Sequence, residues 1–110
     1  MSLIDCGPTV VTPSTPVAPY ADGAWHMVTA TWDKTAYATL YVDGVQKARV
    51  LDSGCYATNM QGVDKFYIGA YPDVTGLQPQ SGYFFSGSMS DVRIFNRELT
   101  ATEINSFYIN

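Results

Sequence analysis

Between Trp25 and Trp32 the chain alternates, with His26, Val28, Ala30 and Trp32 on one side of an extended backbone and Met27, Thr29 and Thr31 on the other. A period of two with β-branched and aromatic content is that of a half-buried strand, which predicts a strand over residues 25–32. Two further runs, residues 38–42 and 45–50, meet across Asp43-Gly44. A type I′ turn needs positive φ at both central positions, so Asp-Gly between two such runs predicts a tight hairpin. Residues 65–70 read as another strand, closed by Tyr71-Pro72-Asp73. Residues 74–82, rich in Gly, Gln, Pro and Ser, read as a loop. The run over residues 83–95 is long enough for two strands, or for one strand bent at Gly87.

The two ends depart from this pattern. Residues 1–20 hold Pro8, Pro13, Pro16 and Pro19 and a single charge, Asp5. Proline cannot donate to a sheet ladder, so residues 1–21 are predicted as an extended arm, with Thr9-Val10-Val11-Thr12 the one strand candidate and the domain proper running over 22–110. At the other end, Thr100 and Glu103 have the spacing of a capping box, and Leu99 and Ile104 that of a hydrophobic staple. A short helix over residues 101–107 follows. The prediction is an all-β, antiparallel domain with one C-terminal helix.

Composition narrows the chemistry. Of 110 residues 10 are acidic and 6 basic, a formal charge of −4, so there is no cationic surface to neutralise nucleic-acid phosphates. No apolar run is long enough to span a membrane, and no signal peptide is visible at the start of the chain. One histidine, His26, and two cysteines, Cys6 and Cys55, are too few for a zinc site without mostly carboxylate ligands. The only glutamates, Glu98 and Glu103, lie in the last thirteen residues, so a carboxylate pair across a sugar ring has no source but scattered aspartates. Phosphate-binding loops and nucleophile elbows are missing. The inventory is that of a binding or structural domain, not an enzyme. Asp43 is explained by its turn, and Trp32 by packing on its strand. Cys6 and Cys55 allow either one bridge between the arm and the mid-chain loop or two free thiols.

The remaining candidates are a polar-aromatic group on predicted loops: Tyr56, Asn59, Tyr71, Asp73 and Tyr83, with Phe84 alongside. Flat aromatic faces beside amide and carboxylate acceptors are what a sugar site uses. The competing reading is that the eight tyrosines of a small β-protein cover sheet edges.

Taken in order, Asp22-Gly23-Ala24-Trp25-His26-Met27-Val28, Leu40-Tyr41-Val42-Asp43-Gly44, Phe66-Tyr67-Ile68-Gly69, the stretch from Phe85 to Thr100 containing Asp91-Val92-Arg93-Ile94-Phe95, and Glu103-Ile104 resemble the laminin-G-like group of the concanavalin A-like lectin/glucanase superfamily. The resemblance spans residues 22–108. It implies a jelly-roll β-sandwich, complete or reduced, serving as a carbohydrate- or glycoprotein-binding module at the cell surface or outside the cell. An architectural or oligomerisation domain with no small ligand is the alternative. In the family pattern Trp25 and His26 start a strand and serve packing. The mostly extracellular setting of the family favours a Cys6–Cys55 disulfide.

Related domains hold a structural Ca2+ with a carboxylate three positions before the arginine of this motif. That position is Ser90 here, while Asp91 is predicted on the opposite face of a strand, so neither this ion nor any other cofactor is expected. The matched motifs belong to the C-terminal half of such a domain. Val28, Ala30, Leu40, Val42, Ile68, Val92 and Ile94 are therefore not expected all to be buried in one copy, and a homodimer is predicted to supply the missing cover.

Overall fold

The computed structural model describes residues 4–5, 10–11, 20–33, 37–51, 67–72 and 78–110. They belong to two compact units, residues 1–59 with 95–110 and residues 60–94. The described secondary structure is predominantly antiparallel β with one short C-terminal helix.

In the first unit β1 (Ile4–Asp5) pairs with β2 (Val10–Val11), within the strand candidate of the arm. The main sheet has the order β3 (Val28–Trp32), β4 (Tyr37–Val42), β5 (Val45–Leu51), antiparallel throughout. The hairpin forms where the sequence predicts it, with Asp43 at φ 53° and Gly44 at φ 74°. Between Leu40 and Tyr41 the register slips, so that Leu40 faces Ala48 while Tyr41 faces Gln46, leaving Lys47 as the extra residue of a bulge.

The register arranges one sheet face as three rows: Val28, Val42 and Val45; Ala30, Leu40 and Ala48; Trp32, Ala38 and Val50. None of the nine is polar. Their central members, Ala38, Leu40 and Val42, are 1%, 2% and 3% exposed. The opposite face carries Thr31, Thr39 and Tyr41, which are also buried. β4 is thus enclosed on both sides. β3 starts at Val28 and not at residue 25, because Ala24 and His26 are bonded to the Asp22 side chain and Asp43 takes up the Met27 backbone.

Helix α1 (Ala101–Ile109) starts at the predicted residue and runs one half-turn further. Thr100 caps it: its hydroxyl accepts the Glu103 N–H at 3.2 Å, and the Glu103 carboxylate accepts the Thr100 N–H at 2.8 Å. Such a cap contributes about 1 kcal/mol. Arg97 grips the same carboxylate with two bonds of 3.0 and 2.7 Å, and these, with the Thr100 donors, hold Glu103 at a pKa of about 2. The staple pair Leu99 and Ile104 is buried in one cluster with Tyr41, with Met27 packed against it. Phe95 lies against Phe107 with ring centres 5.8 Å apart.

In the second unit β6 (Ala70–Pro72) pairs with β7 (Pro79–Phe84), Ala70 opposite Phe84 and Pro72 opposite Pro79, with an irregularity between. The Phe85 N–H donates to the Gly69 carbonyl at 2.7 Å and prolongs the pairing by one step. Three sequence expectations are corrected here. Residues 67–69 bend instead of forming the strand predicted over 65–70, because Gly69 sits at φ 74°; residues 65 and 66 lie outside the described residues. The predicted loop 74–82 contributes its last four residues to β7. No strand forms over residues 85–95. Asp91 adopts φ 54°, a left-handed conformation that interrupts extension, and its carboxylate binds Arg93 through bonds of 2.9 and 2.7 Å.

Candidate functional site

Among the described residues, one polar cluster is built from two Asp-Gly dipeptides and the single histidine. Asp22 opens a turn, accepting the Ala24 N–H on its own Oδ1 at 2.8 Å, and Gly23 follows at φ 83°. That turn brings His26 back toward Asp22, with Nε2 3.1 Å from Asp22 Oδ1. The second dipeptide, Asp43-Gly44, makes the β4–β5 turn and places Asp43 Oδ2 2.7 Å from His26 Nδ1. Asp43 also accepts the Met27 N–H through Oδ1 at 3.0 Å and donates its own N–H to the Met27 carbonyl at 2.9 Å. The Tyr20 ring closes the cluster, nearly perpendicular to the imidazole and with its centre 5.4 Å away.

The two carboxylates raise the His26 pKa above its ordinary value of 6.5, Asp43 through the stronger hydrogen bond and Asp22 through the second. The Ala24 amide, followed by His26, lowers that of Asp22. Both ring nitrogens are engaged, so the cluster is arranged to hold a loop on a turn. His26 therefore serves cohesion by hydrogen bonding. Trp25, expected to pack at the start of a strand, is 70% exposed instead, since it precedes Val28, the first paired residue of β3. Sequence reasoning assigned Asp43 to its turn alone and missed the convergence. The signal was the repetition of Asp-Gly on either side of one histidine.

Of the aromatic candidates, Tyr71, Tyr83 and Phe84 fall in the second unit. Tyr71 lies on β6 and Tyr83 on the paired strand β7, so the sheet brings these two predicted residues onto neighbouring strands. Tyr83 is 60% exposed, and Phe84 and Phe85 beside it are equally open. Gly82, at φ 85°, has no neighbour within 4 Å of the position its Cβ would take, so the chain before Tyr83 is uncrowded. Tyr56, Asn59 and Asp73 lie outside the described residues, as do Cys6 and Cys55. Among the described residues no three His, Cys, Asp or Glu side chains come together in a group fit to hold a metal ion, and no helix is long and apolar enough to cross a membrane.

The family model of the concanavalin A-like lectin/glucanases superfamily matches residues 7–105. The chain belongs to this superfamily. Among solved structures, this superfamily member is similar to an S-layer domain-containing protein from Clostridium thermocellum ATCC 27405, with a TM-score of 0.64 at 24% sequence identity. The likeness covers 91% of the present chain and 45% of the clostridial one, so the chain spans less than half the length of that neighbour. No curated protein matches the chain significantly.

Proposed function

We propose that the chain is a non-catalytic, lectin-like module of a cell-surface or extracellular protein, with a jelly-roll frame, and that it binds carbohydrate or glycoprotein at the β6–β7 sheet. The observation that carries this reading is the placement of Tyr83, exposed on β7, beside the strand that holds Tyr71. A tyrosine ring offers its face to the C–H face of a pyranose and its hydroxyl to a sugar oxygen; Phe84, the next residue of β7, is exposed on the opposite face of the strand. Membership of the superfamily supports a sugar ligand, and the S-layer context of the clostridial neighbour supports a surface address.

Among the described residues, the way Glu103 and His26 are occupied supports a non-catalytic reading. Glu103 is tied to Arg97 and Thr100 with its pKa near the bottom of the carboxylate range, which unfits it as a general acid. His26 has both nitrogens on carboxylates. No cofactor is invoked. A glycan array is expected to show retention of a limited set of glycans by the intact protein and at least a tenfold loss with Tyr83→Ala, whose circular dichroism stays that of the parent. An array on which the unaltered protein retains nothing refutes the reading.

The architectural alternative has its own observation. Val28, Ile68, Val92 and Ile94 are each more than half exposed, whereas Leu40 and Val42 are buried. Apolar side chains left open in this number are what an association surface presents. On this reading the protein sediments as a homodimer at micromolar concentration, and a monomer retaining its β-sheet spectrum would exclude it.

A further inference from the structure

We propose that His26 is a proton-operated clasp: its imidazolium form ties residues 20–27 to the β4–β5 turn through Asp22 and Asp43, and loss of the proton opens the Asp22 side. The inference is independent of whether the module binds sugar. It rests on the count of donors and acceptors. An ionised carboxylate only accepts hydrogen bonds, and a neutral imidazole carries one N–H, whereas imidazolium carries two. Nδ1 lies 2.7 Å from Asp43 and Nε2 3.1 Å from Asp22, so both contacts are satisfied together only by the protonated ring. After deprotonation one nitrogen turns a lone pair toward a carboxylate oxygen at hydrogen-bond distance. That contact is repulsive.

The geometry decides which side gives way. Asp43 is held by the Met27 amide and by its own N–H on the Met27 carbonyl, and its side chain is 25% exposed. Asp22 makes the longer contact, its side chain is 50% exposed, and water replaces the lost partner at little cost. The neutral ring therefore keeps Nδ1–H on Asp43 and releases Asp22. Gly23, with nothing within 4 Å of a Cβ position, leaves the loop space to move, and the exposed Trp25 moves with it. The groups facing the imidazole among the described residues are Asp22 from its own loop, Asp43 from the β4–β5 turn and the Tyr20 ring. The two carboxylates favour the charged ring.

The direction of the pH dependence follows by linkage. The folded-state pKa of His26 lies above its ordinary value. The clasp's contribution is therefore complete below the unfolded-state pKa and is lost as pH rises through the folded-state value. The clasp is closed in acid and opens on the alkaline side.

Because the chain has one histidine, its ring Cε1 proton gives a single NMR resonance that titrates without ambiguity. The expected midpoint in the intact protein lies above 6.5. Asp22→Asn lowers it and Asp43→Asn lowers it further. Across the same midpoint the heteronuclear 15N NOE of residues 23–25 falls, while those of Met27 and Thr39 hold steady. In Asp22→Asn the fall disappears, because an amide side chain can donate to the neutral ring as well as accept from the charged one. A midpoint at or below 6.5, a midpoint unmoved by Asp22→Asn, or a loop signal indifferent to pH overturns the proposal. If Asp43→Asn fails to fold, the comparison of parent with Asp22→Asn decides alone.

Discussion

Ile104→Ala is expected to lower the unfolding free energy by about 2–5 kcal/mol, a large part of the roughly 5–15 kcal/mol available to a domain of this size. Ile104 is 0% exposed and is the one buried residue of helix α1. Its side chain joins the helix to Leu99 before the cap and to Tyr41 on the central strand, with Met27 at the margin. Truncation removes three carbons from a site walled by elements that are separately anchored, Leu99 by the capped turn and Tyr41 by two neighbouring strands, so the cavity has little means of collapsing. Urea denaturation followed by circular dichroism measures the loss. Phe107→Ala, at an exposed position on the same helix, is the control and should cost less than half as much. A loss below about 1 kcal/mol for Ile104→Ala would mean that the helix is not docked through this residue.

Gly44→Ala is expected to cost about 2–3 kcal/mol, more than an alanine in a surface turn normally does. Two effects combine. Gly44 has φ 74°, where a Cβ crowds the following carbonyl. An added Cβ would also meet Asn105 Oδ1 at 2.9 Å, Asn105 Cα at 3.4 Å and Tyr108 Cβ at 3.5 Å. The amide oxygen has to rotate aside, whereas the approaches to Asn105 Cα and Tyr108 Cβ are ordinary van der Waals contacts, so the backbone conformation is the larger part of the cost. Gly23→Ala separates the terms, since Gly23 has φ 83° and nothing within 4 Å of its Cβ position. Its loss should be confined to the backbone part, near 1–2 kcal/mol. Equal midpoints for the two variants would show that the turn does not press on the helix.

The β4–β5 hairpin and the start of α1 were legible from the chain, because both depend on contacts between residues close in sequence. Asp43-Gly44 accepts positive φ wherever it occurs, and Thr100 reaches the Glu103 amide as soon as one helical turn forms. The series of short motifs from Asp22 to Ile104 was enough to suggest the superfamily. The candidate site was only half legible: Tyr71 and Tyr83 were singled out as residues, but their predicted setting was a loop, and it is β pairing that puts them on adjacent strands.

What the sequence by itself determined are the local stops and starts: the turn at Asp43-Gly44, the cap at Thr100, the staple of Leu99 with Ile104, and the alternation that makes β3, β4 and β5. What the tertiary structure decided is which segments find a partner and which polar groups meet. Residues 85–95 have the content of a strand yet form none: the left-handed Asp91 breaks the run, and every residue of the segment is exposed, so no buried face holds it extended. Asp22 stands four positions before His26 and reaches it through a local turn, but Asp43 lies seventeen positions beyond, where no local pattern relates it to the histidine. Only the pairing of β3 with β4 carries the turn back to the start of β3, and that closure is what sets one imidazole between two carboxylates.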